Sequence, residues 1–219
     1  MLKLCLESTN VNRKFIDITT KSTEEAGWNE NSEYFKEVPE GKVYKYRRWT
    51  LENKIHIACR SEIDAYAKVP EGEGEKKVFV KVCALNEYDP AADWSQNYET
   101  NRGALISSEF RNNGSKIGKW LCQAFLADCE QFKLGFVNKP NVKDSKYQVL
   151  TVEPMTSIGL SSQTGYKLKD NWSIIKTIVE IMSKQDDGTY NFVKLPYKQS
   201  IRIYKIPTGE EEVEQIPVI

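Results

Sequence analysis

Histidine is almost missing from this 219-residue chain: His56 is its one imidazole, set between Ile55 and Ile57 in a strand-like run. With no second histidine for a zinc centre or a dyad, and none beside a reactive serine or cysteine, a hydrolase triad is excluded. Net charge is missing too. Thirty-one basic and thirty-one acidic side chains cancel, so no global field draws the chain to nucleic acid or to an acidic membrane, and any basic site has to be local. Apolar runs never approach the eighteen or so residues of a membrane span, and Met1-Leu-Lys-Leu-Cys-Leu6 is too short for a signal peptide core. The expectation is a cytoplasmic protein with no membrane partner. Cysteine is scarce and odd in number: Cys5, Cys59, Cys83, Cys122 and Cys129 contain no Cys-x-x-Cys pair. That fits neither a disulfide framework nor a zinc ribbon, and Cys59, Cys83 and Cys122 read as small buried hydrophobes.

What is present suffices for one well-cored domain. From 115 to 126, Ile117, Trp120, Leu121, Ala124 and Phe125 form an apolar stripe at helical spacing. A second helix is expected from an Asp170 or Asn171 cap through Trp172, Ile175, Ile178, Val179 and Met182 to the stop at Asp187-Gly188. A third is expected over 103–111, broken at Asn112-Asn-Gly-Ser115. Alternating runs at 43–50, 54–64, 77–85, 132–137, 148–152, 190–194 and 200–206 read as strands. This order predicts an α+β fold, with mixed, mainly antiparallel β-sheets and two or three packed helices. The polar stretch 16–41 reads as a surface excursion, and Thr208-Gly-Glu-Glu-Glu-Val-Glu214 as the acidic part of a short tail, 208–219.

Glu62 and Asp64 lie two residues apart, which in an unbroken strand points both carboxylates to one face. That is half of a magnesium site. The run Val78-Phe-Val-Lys-Val-Cys83, expected as the hairpin partner, offers Lys81 and Cys83 where another carboxylate is needed. Gln123, one position off the helical stripe, is a candidate to touch substrate. In Tyr44-Lys-Tyr-Arg-Arg-Trp49, alternation puts Lys45, Arg47 and Trp49 on one face and Tyr44, Tyr46 and Arg48 on the other. Cations interleaved with rings suit phosphates and bases, and equally suit a strand whose aromatics cover the core. Arg102, Arg111, Lys116 and Lys119 extend the basic surface if they share a side. In a helix, Thr9, Asn12 and Arg13 would share a face.

Eight blocks in register carry a resemblance. They are Val43-Tyr-Lys-Tyr-Arg-Arg-Trp49, Cys59-Arg-Ser-Glu-Ile-Asp64, Leu85-Asn-Glu-Tyr-Asp89, Asp93-Trp94, Arg102-Gly-Ala104, Asn112-Asn113, Leu134-Gly-Phe136 and Ile201-Arg-Ile-Tyr204. Together they resemble the d-subunit family of the eukaryotic translation initiation factor three complex. The match implies the C-terminal part of a messenger-RNA cap-binding domain over 1–207, with its upstream half outside this chain. That family is in turn similar in fold to the DXO-type decapping exoribonucleases. On that likeness, Glu62-Ile-Asp64 matches a first active-site motif and Trp120-Leu-Cys-Gln123 a third. Lys81 and Cys83 replace the Glu and Lys of the middle one.

The resemblance therefore implies a non-catalytic module without cofactor or metal, binding the 5′ cap and leading nucleotides of messenger RNA. Its implied partners are capped messenger RNA, the other subunits of the factor and the small ribosomal subunit. Thr9 and Asn12 match the family's cap-contacting helix, with Arg13 in place of a histidine. The expected cap and RNA contacts are Thr9, Asn12, Arg13, Lys45, Arg47, Glu62, Asp64, Lys81, Arg102 and Gln123. Glu62 or Asp64 is expected to accept the guanine edge. Two other readings stay open: an active metal-dependent 5′-end decapping nuclease using Glu62, Asp64, Glu87, Asp89 and Gln123, and a protein-interaction scaffold.

Overall fold

The computed structural model describes residues 2–21, 43–51, 55–72, 74–87, 90–140, 146–207 and 215–216. It divides into two compact units, Met1–Tyr166 and Lys167–Ile219. The described elements combine five helices with mixed, mainly antiparallel sheets, an α+β architecture with more helices than expected.

In the first unit, helix α1 (Leu2–Thr19) precedes strands β1 (Val43–Thr50), β2 (His56–Ile63), β3 (Ala65–Glu71) and β4 (Gly74–Asn86). Helices α2 (Trp94–Asn112) and α3 (Gly114–Ala127), strands β5 (Cys129–Asn138) and β6 (Gln148–Thr156), and helix α4 (Ser157–Thr164) follow. β1 and β2 form an antiparallel pair, while β3-β4-β5-β6 make a four-stranded sheet in which only β4 and β5 run parallel. A parallel pair needs a crossover, and α2 and α3 supply it.

β4 is apolar almost without interruption from Val78 to Leu85 because both its faces are covered. On one side, Val11 and Phe15 of α1 pack on Val80, Val82, Ala84 and Val137. A Cβ at Gly135 of β5 would stand 2.4 Å from the Phe15 ring, so the bare backbone there lets α1 seat. On the other side, Cys83, Leu85, Phe132, Leu134 and Phe136 meet Trp94 of α2, Ile117, Trp120 and Leu121 of α3, and Leu160 of α4. Of the apolar stripe expected on α3, Ile117, Trp120, Leu121 and Ala124 are buried and Phe125 is half-buried.

The hairpin expected between 54–64 and 78–83 does not form. The chain runs from β2 into an extra strand, β3, with only Asp64 between them, and β3 takes the place beside β4. Gly72, at φ +61°, makes the turn after it. Helix α2 starts earlier than expected, at Trp94, where Asp93 Oδ1 accepts the Gln96 N–H at 3.2 Å. It is kinked at Asn101, whose φ of −139° is not helical.

The second unit holds α5 (Leu168–Met182) and the antiparallel sheet β7 (Thr189–Lys194), β8 (Ile201–Ile206) and β9 (Gln215–Ile216). α5 begins at Leu168, so Asp170 lies in its first turn rather than at the cap, and it ends before Asp187-Gly188. Of the expected excursion 16–41, Ile16–Thr19 completes α1. Residues 22–41 and the acidic run 208–214 lie outside the described residues. No described helix is long and apolar enough to cross a membrane.

Candidate functional site

The acidic pair separates. Glu62 stays on the exposed face of β2, opposite Tyr44. Asp64 falls in the step between β2 and β3, where alternation ends, and turns inward. Its Oδ2 accepts the Val82 N–H at 3.0 Å and lies 2.8 Å from Lys81 Nζ. Asn12 does the same one residue pair along, its Oδ1 accepting the Ala84 N–H at 2.8 Å. β3 reaches only as far as Val80. Past that point, two side chains take the amides that a neighbouring strand would otherwise bond. Asp64, Lys81 and Asn12 are thus engaged in holding the edge of β4. Among the described residues no three His, Cys, Asp or Glu side chains gather as a metal site would require.

The cationic face of β1 is also engaged. Lys45 Nζ lies 2.8 Å from Asp128 Oδ2 and 4.6 Å from the Phe79 ring centroid. Arg47 donates to the Phe125 carbonyl at 2.7 Å and lies over Trp49, which stacks on Phe125. Asp128, in the left-handed region at φ 60°, ends α3. The hydrogen bond from Lys45 and the charges of Arg47 and Lys45 outweigh burial and hold its carboxyl below the usual range.

Arg102, just past the α2 kink, pairs with Glu153 of β6 and lies over the Tyr98 ring, whose hydroxyl also donates to Glu153. Burial pushes the Glu153 carboxyl up, but these partners together outweigh it and bring the carboxyl below its ordinary value. Arg13 and Gln123 are exposed.

Thr9 stands apart from the other expected contacts because it lines a cleft of about 930 Å³ formed by α1, the end of β4, α2 and the start of α3. That volume suits a small-molecule site. Among the described residues the lining carries one acid, Glu109, and one cation, Lys116, together with Ser8, Ser108 and five asparagines at 86, 97, 101, 112 and 113. Burial raises the Glu109 carboxyl above the ordinary range, with hydrogen bonds from Asn113, Trp94 and Asn112 opposing. Asn113 Nδ2 donates to Glu109 Oε2 at 3.0 Å. Burial lowers the Lys116 ammonium. Lys116 Nζ donates to Ser8 Oγ at 2.6 Å and lies 5.1 Å from the Trp120 ring centroid. The result is a polar concavity with many amide donors and acceptors, one half-buried carboxylate and one ammonium.

Glu109 and the asparagines were outside the expected set, and Lys116 entered it only as part of a basic surface. The signal available was the density of asparagine between 97 and 113, unusual in a helix because the side chain competes with the backbone.

Over residues 1–205 the chain matches the family model described as Eukaryotic translation initiation factor 3 subunit 7. It is similar to the D subunit of Eukaryotic translation initiation factor 3 from Nasonia vitripennis, at 35% identity over 96% of this chain and 39% of that protein. The corresponding protein of Xenopus laevis is 35% identical over 94% of this chain and 39% of its own length. That of Arabidopsis thaliana is 34% identical over 80% and 29%. The chain thus spans at most about two fifths of the length of these curated relatives.

Proposed function

Because the chain belongs to the family of Eukaryotic translation initiation factor 3 subunit 7, we propose that it is the part of an initiation-factor subunit that receives the 5′ cap and leading nucleotides of messenger RNA in the α1–α2–α3 cleft. It does so without catalysis, in the cytoplasm, beside the other subunits of the factor and the small ribosomal subunit. The observation that carries this reading is the meeting of Thr9, Lys116 and Glu109 around one amide-rich cleft.

The chemistry is complementary at three points. A 7-methylguanine is flat and cationic, and its Watson–Crick edge offers N–H groups to a carboxylate. Glu109, raised by burial and further by the charge of Glu87, gains from a cationic base. Lys116 supplies a point charge for phosphate, and Thr9, Ser8 and the asparagines supply directional donors and acceptors. Of the other expected contacts, Asn12 ties α1, and Asp64 the step between β2 and β3, to β4, whose end at Asn86 lines the cleft. Lys81 neutralises Asp64 in place of a metal, which favours binding over phosphodiester cleavage.

Titration with 7-methyl-GTP and GTP tests the proposal. Glu109→Gln is expected to weaken 7-methyl-GTP about tenfold and GTP less, and Lys116→Met to weaken both. Equal affinity for the two nucleotides, or no change in either variant, would overturn it. Release of a cap nucleotide from capped RNA incubated with magnesium or manganese would favour the nuclease reading instead.

A further inference from the structure

The two-stranded sheet β1–β2 has a second face that the cleft does not use. While Lys45, Arg47 and Trp49 turn toward Phe125 and Asp128, alternation sends Tyr44, Tyr46 and Arg48 the other way. The register sets Arg60 opposite Tyr46 and Ala58 opposite Arg48. Tyr46 is 72% exposed, and Arg48 and Arg60 are exposed with it. The Arg60 guanidinium lies 4.8 Å from the Tyr44 ring centroid. Tyr44 and Tyr46 are thus about 7 Å apart along the strand on one face. Arg60 thus sits over the first ring and is the cross-strand partner of the second tyrosine.

A tyrosine this exposed in the middle of a strand covers no core, and its ring is presented to solvent at a place where the neighbouring cross-strand residue is a cation. Glu62, at the far end of the face opposite Tyr44, is the single acid in these two rows. The face therefore carries two arginines against one acid and an accessible π surface, in a chain whose net charge is zero.

We infer that this outward face of β1–β2 is a stacking platform for uncapped, single-stranded RNA. Bases stack on the Tyr46 ring and the Arg60 plane, and Arg48 and Arg60 meet the phosphates. It rests on the reading that this chain handles messenger RNA, and it adds a surface separate from the cap cleft. The charge alone would also draw an acidic peptide, but such a peptide gains nothing from the exposed ring. A peptide added as a strand would take the backbone edges of the sheet, not its side-chain face.

The test is fluorescence anisotropy of an uncapped oligouridine of about ten nucleotides against the full chain, at several salt concentrations. Tyr46→Ala is expected to weaken binding roughly five- to tenfold or more, Tyr46→Trp to retain it, and Arg60→Gln to weaken it and flatten its salt dependence. Unchanged melting temperatures in all three variants exclude an effect through folding. Equal affinity of wild type and Tyr46→Ala overturns the inference. So does displacement of the RNA by an acidic peptide whose own binding depends on Tyr46. Failure to bind oligouridine while 7-methyl-GTP still binds overturns the platform alone; failure of both ligands overturns the cap reading as well.

Discussion

The carboxylate of Asp64 lies 2.8 Å from the ammonium of Lys81, with the side chains 7% and 13% exposed. The same oxygen takes the Val82 N–H. Removing the acid leaves a nearly buried ammonium and an unpaired amide. Asp64→Ala is expected to cost about 3 kcal/mol or more, because the surviving charge loses its compensation. Lys81→Met leaves Asp64 its backbone donor and is expected to cost less. Chemical denaturation of both variants and the double variant checks this: Lys81→Met in the Asp64→Ala background should recover stability, whereas simple additivity would show the pair is not coupled.

Gly135 and Phe15 define how α1 seats. A Cβ at Gly135 would come within 2.4 Å of the Phe15 ring, so Gly135→Ala must push the helix off the sheet, at a cost of roughly 1–3 kcal/mol. The shift also carries Asn12 away from Ala84. Hydrogen exchange at the Ala84 amide is therefore expected to accelerate in Gly135→Ala. Combining the change with Phe15→Leu, which shortens the intruding ring, is expected to restore part of the loss. Unchanged exchange would mean that α1 does not depend on this contact.

Legibility followed period length and burial. The α3 stripe could be read because Ile117, Trp120, Leu121 and Ala124 all face one core, and β1 because its alternation is uninterrupted. β3 was hidden because Ala65-Tyr-Ala-Lys-Val-Pro-Glu71 is an edge strand, where small residues and a proline are tolerated and little apolar patterning is needed. α1 was obscured for a similar reason: Val11 and Phe15 are its buried anchors in the described part, and the residues between them are polar. Glu62 and Asp64 misled because the same-face rule holds only while the strand continues, and it stops at Ile63. The cleft draws on residues from Cys5 to Lys116, a grouping that no linear spacing encodes.

Asp128 offers a pH signature with a defined sign. Its carboxyl is held below the ordinary value of 3.8, first by the Lys45 hydrogen bond and also by Arg47. A depressed folded-state pKa contributes stability above the unfolded-state pKa and loses it as the pH falls through the folded value. Asparagine tolerates the left-handed backbone that Asp128 adopts, so Asp128→Asn removes the charge and spares the conformation. The aspartate is 55% exposed, and solvent screening limits the difference to under about 1 kcal/mol. Thermal melts are expected to show wild type above Asp128→Asn at neutral pH, with the gap closing below about pH 4. A gap that persists in acid would mean the pairing contributes nothing through charge.

Cys5 provides a reporter within the cleft itself. Burial pushes the Cys83 thiol far up and the Cys129 thiol to about 11, and both are enclosed, so neither should alkylate in the folded protein. Cys5 is exposed, lines the cleft, and gives its backbone carbonyl to the Thr9 hydroxyl at 2.8 Å. Iodoacetamide is therefore expected to label Cys5 first. A cap nucleotide seated between Thr9, Lys116 and Glu109 shields that thiol. Saturating 7-methyl-GTP is thus expected to slow labelling several-fold, with GTP at the same concentration less effective. Peptide mass spectrometry over a labelling time course reads both rates. If 7-methyl-GTP binds while Cys5 reacts at its unliganded rate, the nucleotide sits elsewhere and the assignment of the cleft fails.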